Sequence, residues 1–212
     1  PPRGSTDPRP TLERFISSCW DVGLEIGSSV RTIEECAVEA AAQLIEQHGA
    51  TSEREGLLGG RYKELYLKAS GADKSHYLNK AIRHYENGMM MDLNDYYPSS
   101  NLPRLYRARG LSDDDEKARA TSQAVYFACQ RAKRGNTTDE WLRPTLLGAA
   151  FDAGDVSAAK AVYEQVVAEN ARGWQLHTTL NALQLSVQQI ADPAKRAELS
   201  SILEKLKSLD TN

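Results

Sequence analysis

Apolar residues recur every three or four positions along most of the chain, which is the spacing of one face of an α-helix. Between Thr32 and His48 this stripe contains Ile33, Cys36, Ala37, Ala40, Ala41, Leu44 and Ile45. The same period predicts further helices over residues 11 to about 23, 52–69, 75–91, 99–109, 112–134, 137–153, 156–171, 174–190 and 193–209. We expect about nine helices with short links, because no segment shows the alternating β-branched pattern typical of a strand.

The spacing also predicts which side chains of several helices face inward. These are Leu78, Ala81, Ile82, Tyr85 and Met89 in one helix, Leu102, Leu105 and Tyr106 in the next, and Ala159, Val162, Tyr163 and Val166 in a later one.

Several helix starts carry a capping signal. In a capping box, a Ser or Thr and a Glu three residues later accept hydrogen bonds from each other's backbone N–H. The sequence predicts such boxes at Thr32 with Glu35, Ser52 with Glu55 and Thr137 with Glu140. Ser112 is predicted to cap the long helix that follows it, where Asp113–Glu116 complement the helix dipole.

Gly59 and Gly60 lie inside a predicted helix, where each glycine costs about 1 kcal/mol relative to alanine. Two adjacent glycines predict that a neighbouring helix approaches closely. They do not form a phosphate-binding loop, because the lysine-serine pair and the preceding strand of such a loop are missing.

Residues 92–98 form a predicted turn, in which Pro98 is expected to hold Tyr97 extended. We expect Tyr96 and Tyr97 to fill the space between successive helical hairpins, with Asn101 capping the following helix. The alternative is a recognition site at the rim of a groove.

The short links pair the helices into hairpins, and a hairpin of this kind cannot bury its own apolar face. Stacking such hairpins solves the problem. The sequence therefore predicts an all-α fold, a right-handed α-solenoid of tetratricopeptide-like hairpins. Residues 59–93 and 143–176 fit the small and aromatic positions of that repeat.

Composition narrows the class of protein further. The 212 residues are 41% hydrophobic and 26% charged, ordinary values for a globular protein, and the formal net charge is -3. This charge argues against nucleic acid or an anionic membrane surface as the main partner. No apolar run approaches the roughly 18 residues of a membrane-spanning helix.

Three cysteines, Cys19, Cys36 and Cys129, fit no metal or disulfide spacing. We expect them to be small buried side chains in a reducing, cytoplasmic compartment. Residues 1–10 have the composition of a disordered lead or linker, and residues 11–212 are expected to form one helical-repeat domain. The Pro-Pro start suggests a segment of a longer protein.

One long string resembles a known family. It runs through Gly59–Lys63, Ala81–Gly88 and Asp92–Leu102, and it resembles the TRAFs-binding domain, the tetratricopeptide-like central region of apoptosis-signal-regulating kinase kinase kinases that recurs in bacterial multidomain proteins. The resemblance extends over about residues 32–190. It implies a regulatory scaffold that binds partner proteins, or in bacteria a sensor or adaptor joined to effector domains in defence or stress signalling.

No catalytic or metal-binding constellation is recognisable. The four histidines, His48, His76, His84 and His177, show no ligand spacing, and no nucleophile stands beside a base in a known motif. We therefore expect neither enzymatic activity nor a cofactor.

The candidate binding residues are Arg61, Lys63, Tyr97, Asn101 and Arg104. Arg107 and Arg109 extend a small basic face from Arg104, which is expected to be solvated rather than an anion site.

Two functions follow as hypotheses. The first is a non-catalytic scaffold or adaptor module of a larger signalling or defence protein, which binds a protein or peptide on the concave face of the solenoid. The alternative is a regulatory domain that binds a nucleotide or other small anion through Arg61, Lys63, Asn101 and Arg104 and controls a fused effector enzyme.

Overall fold

The fold is known from a computed structural model, which describes residues 9–21, 31–135, 139–168 and 173–210. Every regular element within these ranges is a helix. The helices are α1 (Arg9–Asp21), α2 (Ile33–His48), α3 (Ser52–Lys68), α4 (Gly71–Met91), α5 (Tyr96–Ser99), α6 (Leu102–Arg109), α7 (Asp114–Arg134), α8 (Leu142–Ala153), α9 (Val156–Ala168), α10 (Gly173–Gln189) and α11 (Pro193–Asp210).

From α2 onward the helices form a stacked all-α array, as predicted. Helix α3 packs most extensively on α4, α6 on α7, α8 on α9 and α10 on α11, and α8 also packs on α10. The all-α helical-solenoid fold is thus confirmed. None of the described helices is both long and apolar enough to cross a membrane.

Glycines allow close packing in the α3–α4 hairpin, at one position against an aromatic ring and at another against the backbone. A Cβ on Gly59 would stand 3.0 Å from the Tyr85 ring, and one on Gly88 would stand 2.9 Å from the Ser52 carbonyl oxygen. The contact predicted from the glycine pair is therefore present, and Gly88 adds a second one.

Within the described ranges, three apolar clusters hold the array together. One joins α4, α6 and α7, with its largest buried side chains at Ile82, Tyr85 and Leu102. The second, in α8–α11, is aliphatic apart from Phe151. A smaller third cluster, which includes Val125, lies where α5, α7 and α8 meet.

Most predicted inward residues are buried. In α4, Leu78, Ala81, Ile82 and Tyr85 are at most 6% exposed. The stripe of α2 is different: Ala41 is buried, but Ile33 is 86% exposed. This helix packs on α3, and Leu44 of the stripe is also exposed among the described residues, so the stripe is only partly buried by that contact.

The predicted helix starts need correction at several places. Thr32 and Glu35 do form the capping box. The cap of α3 is instead Thr51, which accepts from the Arg54 amide, so Glu55 is released for another role. Helix α4 begins at Gly71 rather than Ser75.

The turn before α6 also differs from the prediction. Tyr97 is helical rather than extended, because Asp95 accepts its amide and starts the short helix α5, with Pro98 in its first turn. Asp113, with no side-chain cap bond, stands at the N-cap of α7 in place of Ser112. The proposed box at Thr137, residues 1–8 of the predicted lead and the predicted end of the first helix near residue 23 lie outside the described residues. The last two residues of the predicted 1–10 lead are helical, because α1 begins at Arg9.

The cysteines do not share one environment. Cys129 is buried, and burial followed by the charge of Asp139 raises its thiol pKa to about 12. Cys36 is exposed, so the expectation of a buried side chain was wrong there. The side chain of Cys19 is outside the described part of the chain.

Candidate functional site

Four of the five candidate residues meet where α3 passes the α5–α6 segment. The Lys63 ammonium donates to Asn101 Oδ1 at 2.7 Å, and Asn101 Nδ2 donates to the Tyr97 carbonyl oxygen at 3.0 Å. Asn101 is only 8% exposed. It therefore holds Lys63 in place. Asn101 stands at the N-cap of α6, as predicted, but its side chain makes no cap bond to that helix.

Arg104 lies one turn further along α6. Its Nη1 donates to Asp152 Oδ2 at 2.9 Å, and its Nη2 donates to the Ser100 carbonyl oxygen at 2.9 Å. The Asp152 side chain is 2% exposed and that of Arg104 is 13% exposed. We call Lys63, Tyr97, Asn101 and Arg104 the Lys63 cluster.

The electrostatics of Lys63 are unusual for a lysine. Desolvation of its ammonium is the main cause and the positive charge of Arg104 a second one; together, and opposed by Glu64, they lower its pKa to about 8. Among the described residues the hydrogen-bond acceptor of Lys63 is a neutral amide. The positive charge of Lys63 therefore costs free energy at this position, and a bound anion would reduce that cost.

Two tyrosines form one wall of this region. Burial raises the pKa of Tyr85 and also that of Tyr97, whose hydroxyl donates to the Gly56 carbonyl oxygen at 3.3 Å. Their rings meet edge to face with centroids 6.4 Å apart. A Cβ on Gly60 would lie 3.4 Å from the Tyr97 hydroxyl, so the second glycine leaves room beside it.

Arg61, the fifth candidate, is not part of the hydrogen-bonded cluster. Its Nη1 pairs with Glu64 at 3.0 Å on the surface of α3, although its charge still acts on the Tyr97 hydroxyl. The basic face on α6 is also divided, because Arg109 bonds Asp114 through two nitrogens, at 3.0 and 2.5 Å.

Three further residues complete the surroundings of Arg104, and the sequence interpretation missed them. Ser186 Oγ donates to Asp152 Oδ1 at 2.6 Å, and Gln189 Nε2 donates to the Arg104 carbonyl oxygen at 3.2 Å. One signal was available: Asp152 stands as a lone carboxylate in the otherwise apolar stretch Thr145–Ala153. Such a carboxylate needs a cation when it is buried.

A second polar group lies on the other side of the hairpin. Glu55, 6% exposed, bonds His84 Nδ1 at 2.8 Å and Asn87 Nδ2 at 3.4 Å. The His84 ring stacks on Tyr62 with centroids 5.4 Å apart. Both bonds are made by Glu55 Oε2 and join α3 to α4, so the group stabilises the hairpin.

The donor count shows what the Lys63 cluster can do. A lysine offers three N–H donors and an arginine offers five. Lys63 uses one of them and Arg104 uses two within the described structure. Five donors on two adjacent cations suit the oxygens of a phosphate or carboxylate. The cluster offers no nucleophile activated by a neighbouring base.

The stacked hairpins define a tetratricopeptide-like helical domain, and comparison with known proteins agrees. Residues 27–106, less than half of the 212 residues, match a family described as Tetratricopeptide Repeats-Sensor. That match covers α2 to the middle of α6, and therefore all four residues of the Lys63 cluster.

Short stretches of the chain are also similar to much longer enzymes. A stretch of 52 residues is 56% identical to a bifunctional uridylyltransferase/uridylyl-removing enzyme of Cupriavidus pinatubonensis and covers 24% of the chain and 6% of the enzyme. In Cupriavidus metallidurans a stretch of 33 residues is 67% identical, covering 16% and 4%. A Pseudomonas putida enzyme of the same description is 56% identical over 36 residues, covering 17% and 4%. The chain thus spans only a small fraction of these relatives. No solved structure matches the chain.

Proposed function

We propose that this chain is a non-catalytic sensor domain that binds a small phosphorylated anion, such as a nucleotide, at the Lys63 cluster. Of the two functions predicted from the sequence, the ligand-sensing alternative therefore has the stronger support. Tyr97, which is 39% exposed, offers an aromatic surface beside the cations, and this favours a nucleotide over a bare phosphate.

One observation carries the proposal. Lys63 is desolvated next to Arg104 while its hydrogen-bond acceptor is the neutral Asn101. A buried cation that serves stability alone is normally paired with a carboxylate, as Arg104 is with Asp152. A bound anion would supply the missing negative charge at Lys63.

The comparisons support the regulatory part of the proposal. The matching family is described as a sensor, and the enzymes that share short stretches with this chain are far longer than it. We therefore propose that the domain reports occupancy of its site to an effector fused to it. The predicted kinship with the TRAFs-binding domain fits such a role and remains a prediction.

The direct test is calorimetric titration of the chain with pyrophosphate and a panel of nucleoside mono-, di- and triphosphates. We expect saturable binding to at least one of them. Lys63→Gln should weaken that binding at least tenfold, because it removes a cation while keeping a polar side chain of similar length.

The matched control is Lys68→Gln on the same helix, whose partner is Glu34 at the surface. This control variant should bind the same ligand with an affinity within twofold of the wild-type value. Equal losses in the two variants would mean that binding follows overall charge, and no binding to any panel member would refute the sensor proposal.

Protein docking is kept as a second candidate because of one feature of α7. Tyr126 and Phe127 are 49% and 68% exposed and stack edge to face with centroids 5.5 Å apart. Exposed aromatic side chains are enriched at the centres of protein interfaces. The binding of a peptide on the concave face of the solenoid remains a prediction.

A photo-crosslinking amino acid that replaces Phe127 tests this second candidate inside the cells that make the protein. A docking surface should give one crosslinked protein, identifiable by mass, that disappears when Tyr126→Ser is added. Crosslinks of equal yield from Lys133, an exposed position further along α7, would indicate random collision and would refute the candidate.

A further inference from the structure

Arg104 belongs to two parts of the molecule at once. Its backbone and its position beside Lys63 place it in the α3–α6 region, whereas its guanidinium bonds Asp152 on α8 at 2.9 Å. Its carbonyl oxygen accepts from Gln189 on α10 at 3.2 Å. We call α8–α11 the C-terminal block, and Arg104 is a polar connection between this block and the Lys63 cluster.

The C-terminal block has its own apolar core, which includes Leu147, Phe151, Leu183 and Leu203. Its attachment to the rest of the chain includes the packing of α8 on α7, with a small apolar cluster at the α5–α7–α8 junction, a smaller contact of α10 with α6, and the polar contacts of Arg104. The helices of the block that make these contacts are α8 and α10, whereas α11 packs on α9 and α10; a change at Arg104 therefore acts first on α8 and α10.

The polar contacts at the junction are not all satisfied. Gln189 Oε1 is buried and has no hydrogen-bond partner among the described residues, although its Nε2 is bonded. A buried acceptor without a partner is normally costly, so this junction is held less tightly than an apolar core.

We propose that an anion at the Lys63 cluster competes with Asp152 for Arg104 and thereby loosens the C-terminal block. This inference rests on the proposed anion site and supplies its means of regulation. The anion and the Asp152 carboxylate carry the same sign and share one guanidinium, so each weakens the hold of the other on it. Because coupling between two sites is reciprocal, anything that holds the block in place lowers the affinity for the anion.

The Asp152 carboxylate keeps a hydrogen-bond donor when the Arg104 guanidinium moves away from it. Ser186 Oγ donates to its other oxygen at 2.6 Å, so the carboxylate keeps one strong hydrogen bond. This bond makes the exchange feasible and ties the response to α10 as well as to α8.

The first experiment measures binding of pyrophosphate to Asp152→Asn. This variant keeps a hydrogen-bond acceptor for Arg104 and removes the competing charge. We expect the affinity to rise three- to tenfold. If Asp152 only positions Arg104 for the ligand, the affinity will fall instead, and that result would overturn the competition.

The second experiment needs no ligand. Lys63→Glu places a built-in carboxylate in the cluster, and Lys63→Gln is its neutral control. By hydrogen exchange followed by mass spectrometry, we expect amides of α8 and α10 to exchange at least threefold faster in the Glu variant than in the Gln variant. The amides of α11, which lies away from Arg104, serve as the internal reference.

The outcomes separate the two proposals. If pyrophosphate and the nucleotides fail to bind but Lys63→Glu loosens α8 and α10, the sensor proposal fails and the coupling through Arg104 stands. If a ligand binds but neither the ligand nor Lys63→Glu changes exchange in α8 and α10, the coupling fails and the sensor proposal stands. Unchanged exchange without any binding refutes both.

Discussion

The α3–α7 region and the C-terminal block are both stacked helices, but they bury different side chains. The core of the first contains Tyr85 and Tyr106, with Tyr62 and Tyr66 packed against it. The core of the block is built from leucine, isoleucine, valine and alanine around Phe151, with Tyr163 packed against it. Charge that is removed from water follows the same division: the half-buried Lys63 and the buried Glu55 lie in the first region, and Asp152 is the acidic side chain that the block presents to it.

The difference shows how one architecture can serve two purposes. An aliphatic core needs only volume and shape, so the interior of the block offers few groups that could recognise a ligand. A core with hydroxyl groups, a carboxylate and an ammonium must place a partner for each polar atom. The α3–α7 region is therefore where binding specificity can arise, and the following changes test this contrast from the largest expected effect to the smallest.

Phe151→Ala should have the largest effect on stability. Phe151 is fully buried in the block, and a Phe-to-Ala change in a packed core costs about 3–5 kcal/mol. Urea unfolding measures the loss. The control Phe127→Ala, at a side chain 68% exposed, should stay within about 0.5 kcal/mol. Similar small losses for both would mean that the block lacks a packed core.

Gly88→Ala should destabilise the α3–α4 hairpin by about 2 kcal/mol, within the usual range for overpacking. Its Cβ would meet the Ser52 carbonyl oxygen at 2.9 Å and Pro98 at 3.0 Å. Gly148→Ala in α8 meets nothing closer than Arg104 Nη1 at 3.6 Å, so the helix propensity of alanine should stabilise it by up to about 1 kcal/mol. Thermal unfolding of the two variants compares them, and shifts of the same sign would contradict the difference in packing.

Lys63→Met should raise stability at pH 7 by about 1–2 kcal/mol, because it removes a desolvated charge at the cost of one hydrogen bond. The lowered pKa of Lys63 gives the pH dependence. In the wild type the penalty is fully present below pH 8, where the folded lysine is charged. It fades as the pH rises from about 8 to the ordinary lysine value of 10.5.

The stabilisation by Lys63→Met should therefore shrink over that interval, as urea unfolding at several pH values can show. For the same reason, wild-type affinity for sulfate, whose charge is constant over this range, should fall as the pH rises above 8. An advantage that grows with pH would show that the pKa of Lys63 is raised rather than lowered.

Glu198→Gln should have the smallest effect. Glu198 pairs with Lys160 at 2.6 Å, and the two side chains are 51% and 57% exposed. Surface ion pairs contribute about 0–1 kcal/mol, so thermal unfolding should shift by no more than about 0.5 kcal/mol and less at high salt. A larger loss of stability would mean that a surface ion pair of the block matters as much as the desolvated charge of the Lys63 cluster, and it would contradict the comparison.

The helices themselves could be predicted because their signals are local. The stripe in α4 and the glycine pair depend only on residues within a few turns of one another. Predictions failed where two segments compete for one group. Glu55 has the spacing of a capping box with Ser52, but it bonds His84 at a separation of 29 residues, and this long-range partner decides its role.

The sequence predicted which residues form the site, but it did not predict which of them contact each other. Lys63, Asn101 and Arg104 were recognised as candidates, whereas their division of roles was not. Arg61 and Lys63 are two positions apart on α3 and therefore face different directions. Arg61 reaches Glu64 on the surface, and Lys63 reaches Asn101 in the interior.

The amino-acid sequence by itself determined that this protein is helical, where most of its helices lie and which faces of α4 and α6 are buried, because these properties arise from spacing within one segment. Only the tertiary structure decided that Lys63 loses its water beside Arg104 and that Asp152 holds Arg104 from another hairpin. Charge and burial at those positions depend on residues 38 and 48 places apart, and the distance between them is set by how the hairpins stack.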